Sequence, residues 1–317
     1  MGGIVAGTAA PGACARLLQG AALLLLSALL CSCAWLDEWQ REVALRPTPT
    51  RPGQLDQAAA SFKPGDQRFM QTAPGTTQDV ALWWLPQPDP NAPALLYLHG
   101  TFRNLYGNLP KINALRQAGY AVLAVDYRGW GDSAPIVPSE VSINADAQLA
   151  WAEFQRRAPD ARRRVIFGHS MGGAVAVTLA SSLKSVQNGG SDYAALVLEA
   201  TFNRMPDVAA AAGFWGRVAA SATTLDFDSQ SRIGRVDAPI TFLHGTADKT
   251  VPVELGRKLR DLAPPGARWV EFTGGTHSRL HEEQPALYQD TLSAILQPSG
   301  PDARKTRPTP PTRSTSP

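Results

Sequence analysis

The sequence predicts an α/β chain in which a mostly parallel central sheet carries helices on both faces. Seven short runs have strand character: Asp79–Leu85, Ala94–His99, Tyr120–Tyr127, Arg164–Phe167, Tyr193–Glu199, Ile240–His244 and Arg268–Phe272. Several are apolar throughout rather than alternating, as strands buried on both faces of a parallel sheet must be. Between them, stretches such as Val141–Arg157 and Val253–Leu262 combine helical spacing with good helix formers, so strand and helix alternate as in βαβ units. A chain of 317 residues is long enough to bury a sizeable core in one large domain of this kind.

Taken from the N-terminus, the first feature is the apolar run Leu17–Leu30 behind the single cation Arg16. At 1.5 Å per residue it rises about 21 Å, short of a hydrocarbon core of ~30 Å. A short apolar run behind a cation reads as the central region of a signal peptide. It ends in Leu30-Cys31-Ser32-Cys33, which resembles a bacterial lipobox with Cys33 as the lipid-bearing residue; Cys31 fits less well because Leu30 directly precedes it. The resemblance implies a signal peptide over 1–32 and a palmitate-type acyl anchor on Cys33. It also implies an outer-membrane lipoprotein facing the periplasm, since Ala34 follows the cysteine rather than Asp. An uncleaved, membrane-dipping signal anchor is the other reading of the same run. Residues 33–61 then form the anchor and a spacer, whose Arg46–Gly53 segment, RPTPTRPG, is expected to be extended because Pro fixes φ and lacks a donor.

The folded part is expected over 62–297. The segment Thr201–Asp237 interrupts the alternation, with Phe202, Met205, Phe214, Trp215, Leu225 and Phe227 around an Ala-rich stretch. Long insertions between strands are often caps over a site, although a crossover helix with a long loop has the same pattern. Residues 298–317, rich in Pro, Thr, Ser and Arg without apolar periodicity, read as a disordered tail.

Composition removes several function classes. The chain is 44% hydrophobic and 18% charged, against ~25% charged for ordinary soluble domains, which excludes a wholly disordered chain. The formal charge of +3 resides in the tail, where Arg304, Lys305, Arg307 and Arg313 face only Asp302. The rest is balanced and offers no basic footprint for nucleic acid. Cysteine occurs only at 14, 31 and 33, so no disulfide framework and no cysteine-based zinc site can lie in the folded domain.

The segment Arg164–Ala174, RVIFGHSMGGA, carries the chemistry. Its Gly168-His169-Ser170-Met171-Gly172 is a G-x-S-x-G pattern at a strand-to-helix junction. Ser170 there must occupy a strained turn that points its hydroxyl out of the sheet, and neighbouring Cβ atoms would clash. The helix beginning at Met171 aims its free N–H groups and positive dipole end at the same point. A serine needs a base, and a neutral imidazole needs an acid to orient it. In the chain order Ser, acid, His, the candidates are Asp248 and His277, both in loops at the carboxyl ends of strands.

Other residues compete for these roles. Glu199 ends a strand and rivals Asp248 as the acid, though chain order favours Asp248. His99 and His244 sit beside glycines at strand ends and read as loop-shaping residues, while His169 is expected to point away from the elbow. His277 and His281 could pair as metal ligands at i,i+4 spacing, but no further ligand cluster accompanies them. Asp126 and Asp132 read as loop-fixing turn residues. The oxyanion hole is assigned to the backbone N–H of Met171 and to that of Thr101, with Phe102 second.

Together with Ser170, these motifs resemble the α/β-hydrolase family and within it the BEM46-like branch of serine hydrolases. The resemblance rests on LYLHGT (Leu96–Thr101), VDYRGWGDS (Val125–Ser133), GHSMGGA, LEATF (Leu198–Phe202), LHGTADKTVP and GGTH, and covers roughly Phe62 to Gln297. Thr101 departs from relatives that commonly carry Asn at this position. What the resemblance implies is a serine hydrolase that cleaves an acyl ester or thioester through an acyl-enzyme, with no cofactor or metal. Its substrate would be a small acyl ester or lipid-like molecule. An aminopeptidase-like amide hydrolase is the alternative within the fold, and a catalytically inactive binding or scaffold lipoprotein is the alternative outside catalysis.

Overall fold

A computed structural model describes residues 35–296. The apolar run, Cys33 and the tail 298–317 lie outside the described residues.

Eight strands form one sheet in the order β1-β2-β4-β3-β5-β6-β7-β8. They are β1 (Gln67–Thr72), β2 (Asp79–Leu85), β3 (Ala94–Leu98), β4 (Ala121–Asp126), β5 (Arg164–His169), β6 (Ala195–Glu199), β7 (Ile240–Gly245) and β8 (Arg268–Phe272). The pairs β1–β2 and β2–β4 are antiparallel and all the others parallel. Helices are α1 (35–45), α2 (Gln54–Ala59), α3 (Leu105–Gln117), α4 (Glu140–Arg157) and α5 (Met171–Ala180). They continue with α6 (Met205–Ala211), α7 (Phe214–Ala222), α8 (Val253–Asp261), α9 (Leu280–Glu283) and α10 (Pro285–Ser293).

Alternate residues of each central strand feed different cores. Leu96, Leu98, Leu123, Val125 and Ile166 pack with Ile143 and Phe154 of α4 and Val175 of α5. Leu95, Tyr97, Val122, Ala124, Val165 and Phe167 pack with Ile112 of α3 and Tyr288 of α10. This two-sided burial is why the strands read as continuous apolar runs, each fully buried Leu, Val or Phe contributing ~1.5–3 kcal/mol. The Ser139 capping box, in which Ser139 accepts from Ser142 N and Ser142 Oγ accepts from Ser139 N, starts α4.

β1 has no counterpart in the strand expectation, because QRFMQT is a half-exposed edge strand with little apolar signal. Its polar side chains are tied to α4 instead: Gln71 Nε2 donates to Glu153 Oε2 at 2.7 Å and Arg157 Nη1 to Gln67 Oε1 at 2.6 Å. The Arg46–Gly53 stretch lies against the domain. Pro49 bridges Gly131, with Gly131 N donating to Thr48 O at 2.9 Å and Thr50 N to Gly131 O at 3.0 Å. Leu45 at the end of α1 is fully buried in the main core. The insertion folds as α6 and α7, while its flanks, including Phe202, Leu225, Phe227 and Ile233, are core residues. Among the described residues, no helix is long and apolar enough to cross a membrane.

The connection from β3 leads outward to β4, and the chain then returns to β5 on the other side of β3. The carboxyl ends of β3 and β5 therefore flank a topological switch point, where open α/β sheets place their crevices.

Candidate active site

Ser170 sits between β5 and α5 with φ 56° and ψ −124°, a strained conformation for a residue with a side chain. Three hydrogen bonds hold it there. Ser170 N donates to Glu199 O at 2.9 Å, and Ser170 O accepts from Gly173 N at 2.8 Å and from Thr201 Oγ1 at 2.9 Å. The flanking glycines are steric necessities: a Cβ on Gly168 would lie 2.3 Å from Gly172 O, and one on Gly172 would lie 2.0 Å from Leu98 O. The elbow is thus compressed against the end of β3, leaving the hydroxyl as the group that projects.

His277 and Asp248 converge on that hydroxyl. His277 Nε2 lies 3.0 Å from Ser170 Oγ, and its Nδ1 lies 2.7 Å from Asp248 Oδ2. A carboxylate only accepts, so Nδ1 carries the proton and Nε2 presents its lone pair to the serine O–H. Ser170 is 5% exposed, and Asp248 and His277 are each 7% exposed. Burial alone would raise the Asp248 carboxyl, but hydrogen bonds from His244 and His277 and from Val251 N hold it well below the usual carboxylate range. Its Oδ1 accepts from Thr250 N and Val251 N, each at 2.8 Å. Asp248 is therefore ionised and fixed by its own turn.

The competing residues have other partners. Glu199, fully buried, pairs with Lys111 Nζ and accepts from Tyr288 O–H at 2.9 Å, so it belongs to a polar cluster between β6, α3 and α10. His99 Nδ1 donates to Gly100 O at 2.6 Å, with Nε2 3.3 Å from Asp126 Oδ1. His244 Nε2 donates to Val251 O at 2.9 Å and stands 3.4 Å from Asp248 Oδ2, backing the acid. Asp126 Oδ1 accepts from Leu105 N at 2.9 Å, and Asp132 accepts from Tyr106 O–H and Thr50 Oγ1, each at 2.6 Å. His281 packs 5.8 Å from the Tyr288 ring while His277 faces the serine. Among the described residues, no group of three or more His, Cys, Asp or Glu side chains could hold a metal.

His169 departs from the expectation that it points away from the elbow. Its ring lies 5.1 Å from that of His277, and its Nε2–H donates to the His277 carbonyl at 3.0 Å. The signal for this was only its place next to Ser170, because a partner more than a hundred residues away leaves no local pattern.

Of the two assigned oxyanion donors, Met171 begins α5 and is buried. Thr101 is buried in the loop after β3, and its carbonyl accepts from Trp130 Nε1 at 2.9 Å. A Cβ on the adjacent Gly100 would lie 2.9 Å from Ser170 Cβ, so this loop runs directly against the serine. A narrow cleft opens there, lined by Gly100, Phe102, Arg103, Asn108, His169 and Ser278 around Ser170. None of these lining residues comes from the 201–237 insertion. A larger hollow near Trp84, Pro86 and Arg163 holds none of the converging groups.

Several known proteins are similar to this chain. The family described as Serine aminopeptidase, S33, matches residues 90–225. An uncharacterized protein of Mycobacterium tuberculosis, Rv2307c, is 31% identical over 255 residues, covering 79% of this chain and 85% of that protein. The lysophosphatidylserine lipase ABHD12 of Danio rerio is 32% identical over 197 residues, 58% of this chain and 50% of that one. The chain thus spans about half the length of that lipase. Among solved structures, an alpha-beta hydrolase from Vibrio vulnificus superposes with a TM-score of 0.64 at 21% identity, covering 82% of this chain and 92% of that one. The Pyrococcus furiosus esterase Pf2001 superposes at 0.60 with 19% identity, covering 76% and 92%. The chain belongs to the α/β-hydrolase family.

Proposed function

We propose that the protein is a serine hydrolase of carboxylic esters or thioesters with Ser170 as nucleophile, His277 as base and Asp248 as the group that orients the base. The observation that carries this reading is the continuous path from Asp248 Oδ2 through the His277 ring to Ser170 Oγ, with steps of 2.7 and 3.0 Å, ending on a strained elbow. Ser170 Oγ attacks the acyl carbon while His277 Nε2 takes its proton. The resulting oxyanion is held by the N–H groups of Met171 and Thr101, each contributing ~2.7–4 kcal/mol to the transition state. His277 then protonates the departing alcohol or thiol, leaving an acyl-Ser170. Water, deprotonated by His277, attacks that ester and releases the acid and the free serine. The name of the ABHD12 relatives supports an ester of lipid-like character. Hydrolysis of a short-chain p-nitrophenyl ester is expected from the full chain and not from its Ser170→Ala variant; equal rates would refute the assignment.

A second reading is amide hydrolysis, which the aminopeptidase family matching residues 90–225 favours. Aminoacyl p-nitroanilides turned over faster than matched acyl esters would establish it.

The proposal extends to location: lipid on Cys33 holding the enzyme on a membrane, at the outer membrane facing the periplasm. Beside the sequence pattern, α1 supports it by exposing Trp35, Leu36, Trp39 and Val43. Incorporation of a labelled palmitate that is lost in Cys33→Ser, with the protein in the outer-membrane fraction, is the expected result. Labelling that persists in that variant would exclude Cys33.

A further inference from the structure

The cleft beside Ser170 has a one-sided charge distribution. Three carboxylates near the triad have partners of their own. Asp248 accepts from His277, Glu199 from Lys111 and Tyr288, and Glu282 from Arg279 at 2.6 Å. Arg103 lines the cleft, is exposed and makes no ion pair among the described residues; the Glu282 carboxyl, held below its ordinary range first by Arg279, also feels its charge. That charge is also felt at the cleft, where it adds a little to the burial that disfavours protonation of His169.

The side chain is also presented rather than loose. Its Cβ, Cγ and Cδ pass over Gly107 so closely that a Cβ there would lie 3.0, 3.3 and 3.4 Å from them. Its carbonyl accepts from Asn108 Nδ2 at 3.1 Å, and the next residue, Asn104, caps α3 by accepting from Gly107 N at 3.1 Å. A second guanidinium arrives from a distant part of the chain: Arg46 Cζ stands 5.2 Å over the ring of Phe102, another residue of the cleft lining. Arg46 likewise makes no ion pair among the described residues. Two unmatched planar cations beside a nucleophile suit a carboxylate or phosphate, which a guanidinium can grip with two parallel N–H donors.

We infer that Arg103, supported by Arg46, forms an anion-binding subsite that selects acyl esters carrying a carboxylate or phosphate near the scissile bond. The inference rests on the reading of Ser170 as the nucleophile and adds a substrate class to it. Arg103 contacts the substrate's anion and not the reacting atoms, so its contribution is expected in KM more than in kcat.

The test compares three hexanoyl esters with the full chain: neutral 1-hexanoylglycerol, its 3-phosphate, and O-hexanoyl lactate. The ratio of kcat/KM for an anionic ester to that for the neutral one is expected to fall about tenfold in Arg103→Gln, chiefly through KM. Arg103→Lys should recover part of the ratio, and added salt should lower it in the parent. A loss confined to the phosphate ester or to the lactate ester identifies which anion the subsite takes. An unchanged ratio in Arg103→Gln, with hydrolysis still dependent on Ser170, overturns the subsite alone. Ester hydrolysis that survives Ser170→Ala, or hydrolysis of none of the three, contradicts the nucleophile reading and the subsite with it.

Discussion

The Nε2–H of His169 donates to the backbone carbonyl of His277 at 3.0 Å, so the residue preceding Ser170 holds the loop that carries His277. Burial holds the His169 imidazole neutral, well below its ordinary pKa, with Lys111 and His277 adding to the effect. Its protonation state therefore leaves the contact intact through the neutral range. Removing the ring in His169→Ala should lower kcat roughly tenfold by loosening the base, the effect of losing one buried hydrogen bond. Steady-state kinetics beside a thermal melt checks this; a kcat equal to the parent's would show that the loop is held otherwise.

Glu199 and Lys111 form a buried ion pair between β6 and α3. Glu199 is 0% and Lys111 3% exposed, and burial pulls the lysine down while Glu199 holds it up. Lys111→Met leaves a carboxylate with only Tyr288 and should cost ~3–5 kcal/mol of stability, whereas Lys111→Met with Glu199→Leu should restore much of it. Urea denaturation of the two variants gives the comparison. A single variant as stable as the parent would contradict the pairing.

His281 should contribute to acid stability. Burial, followed by the nearby charge of Lys111, brings its pKa down to about 4. The unfolded chain takes up that proton near pH 6.5, so stability falls as the pH drops from about 6.5 towards 4 and levels off below. In His281→Gln the difference in urea midpoint between pH 7.5 and 4.5 should shrink. A difference as large as the parent's would assign the acid lability to other groups.

Asp248→Asn keeps the shape of the turn but removes the charge that the imidazole needs. It should lower kcat by about 10⁴ while leaving KM nearly unchanged, as expected when the wrong imidazole tautomer is stabilised. A comparable loss in Glu199→Gln, measured on folded protein, would return Glu199 to candidacy.

The parts of this molecule that were legible in the sequence are those whose signal is local. The central strands announce themselves because burial on both faces forces continuous apolar runs, and the elbow because Gly168 and Gly172 have no room for a Cβ. Asp248 and His277 could be found because this fold places them after β7 and β8. Partners distant in sequence were not legible. Lys111 looks like a surface lysine until Glu199 is brought beneath it, and β1 is held by Glu153 and Arg157 rather than by apolar alternation. Nor does RPTPTRPG show that Thr48 and Thr50 will bind the backbone of Gly131. The triad candidates could be read in this sense, but the role of His169 could not.

The most direct test of the central claim is covalent labelling of the full chain by a fluorophosphonate, beside its Ser170→Ala variant. An activated Ser170 predicts rapid labelling of the parent, none of the variant, and mass spectrometry that places the adduct on Ser170. A folded parent that resists the probe, or an adduct on another residue, would contradict the account.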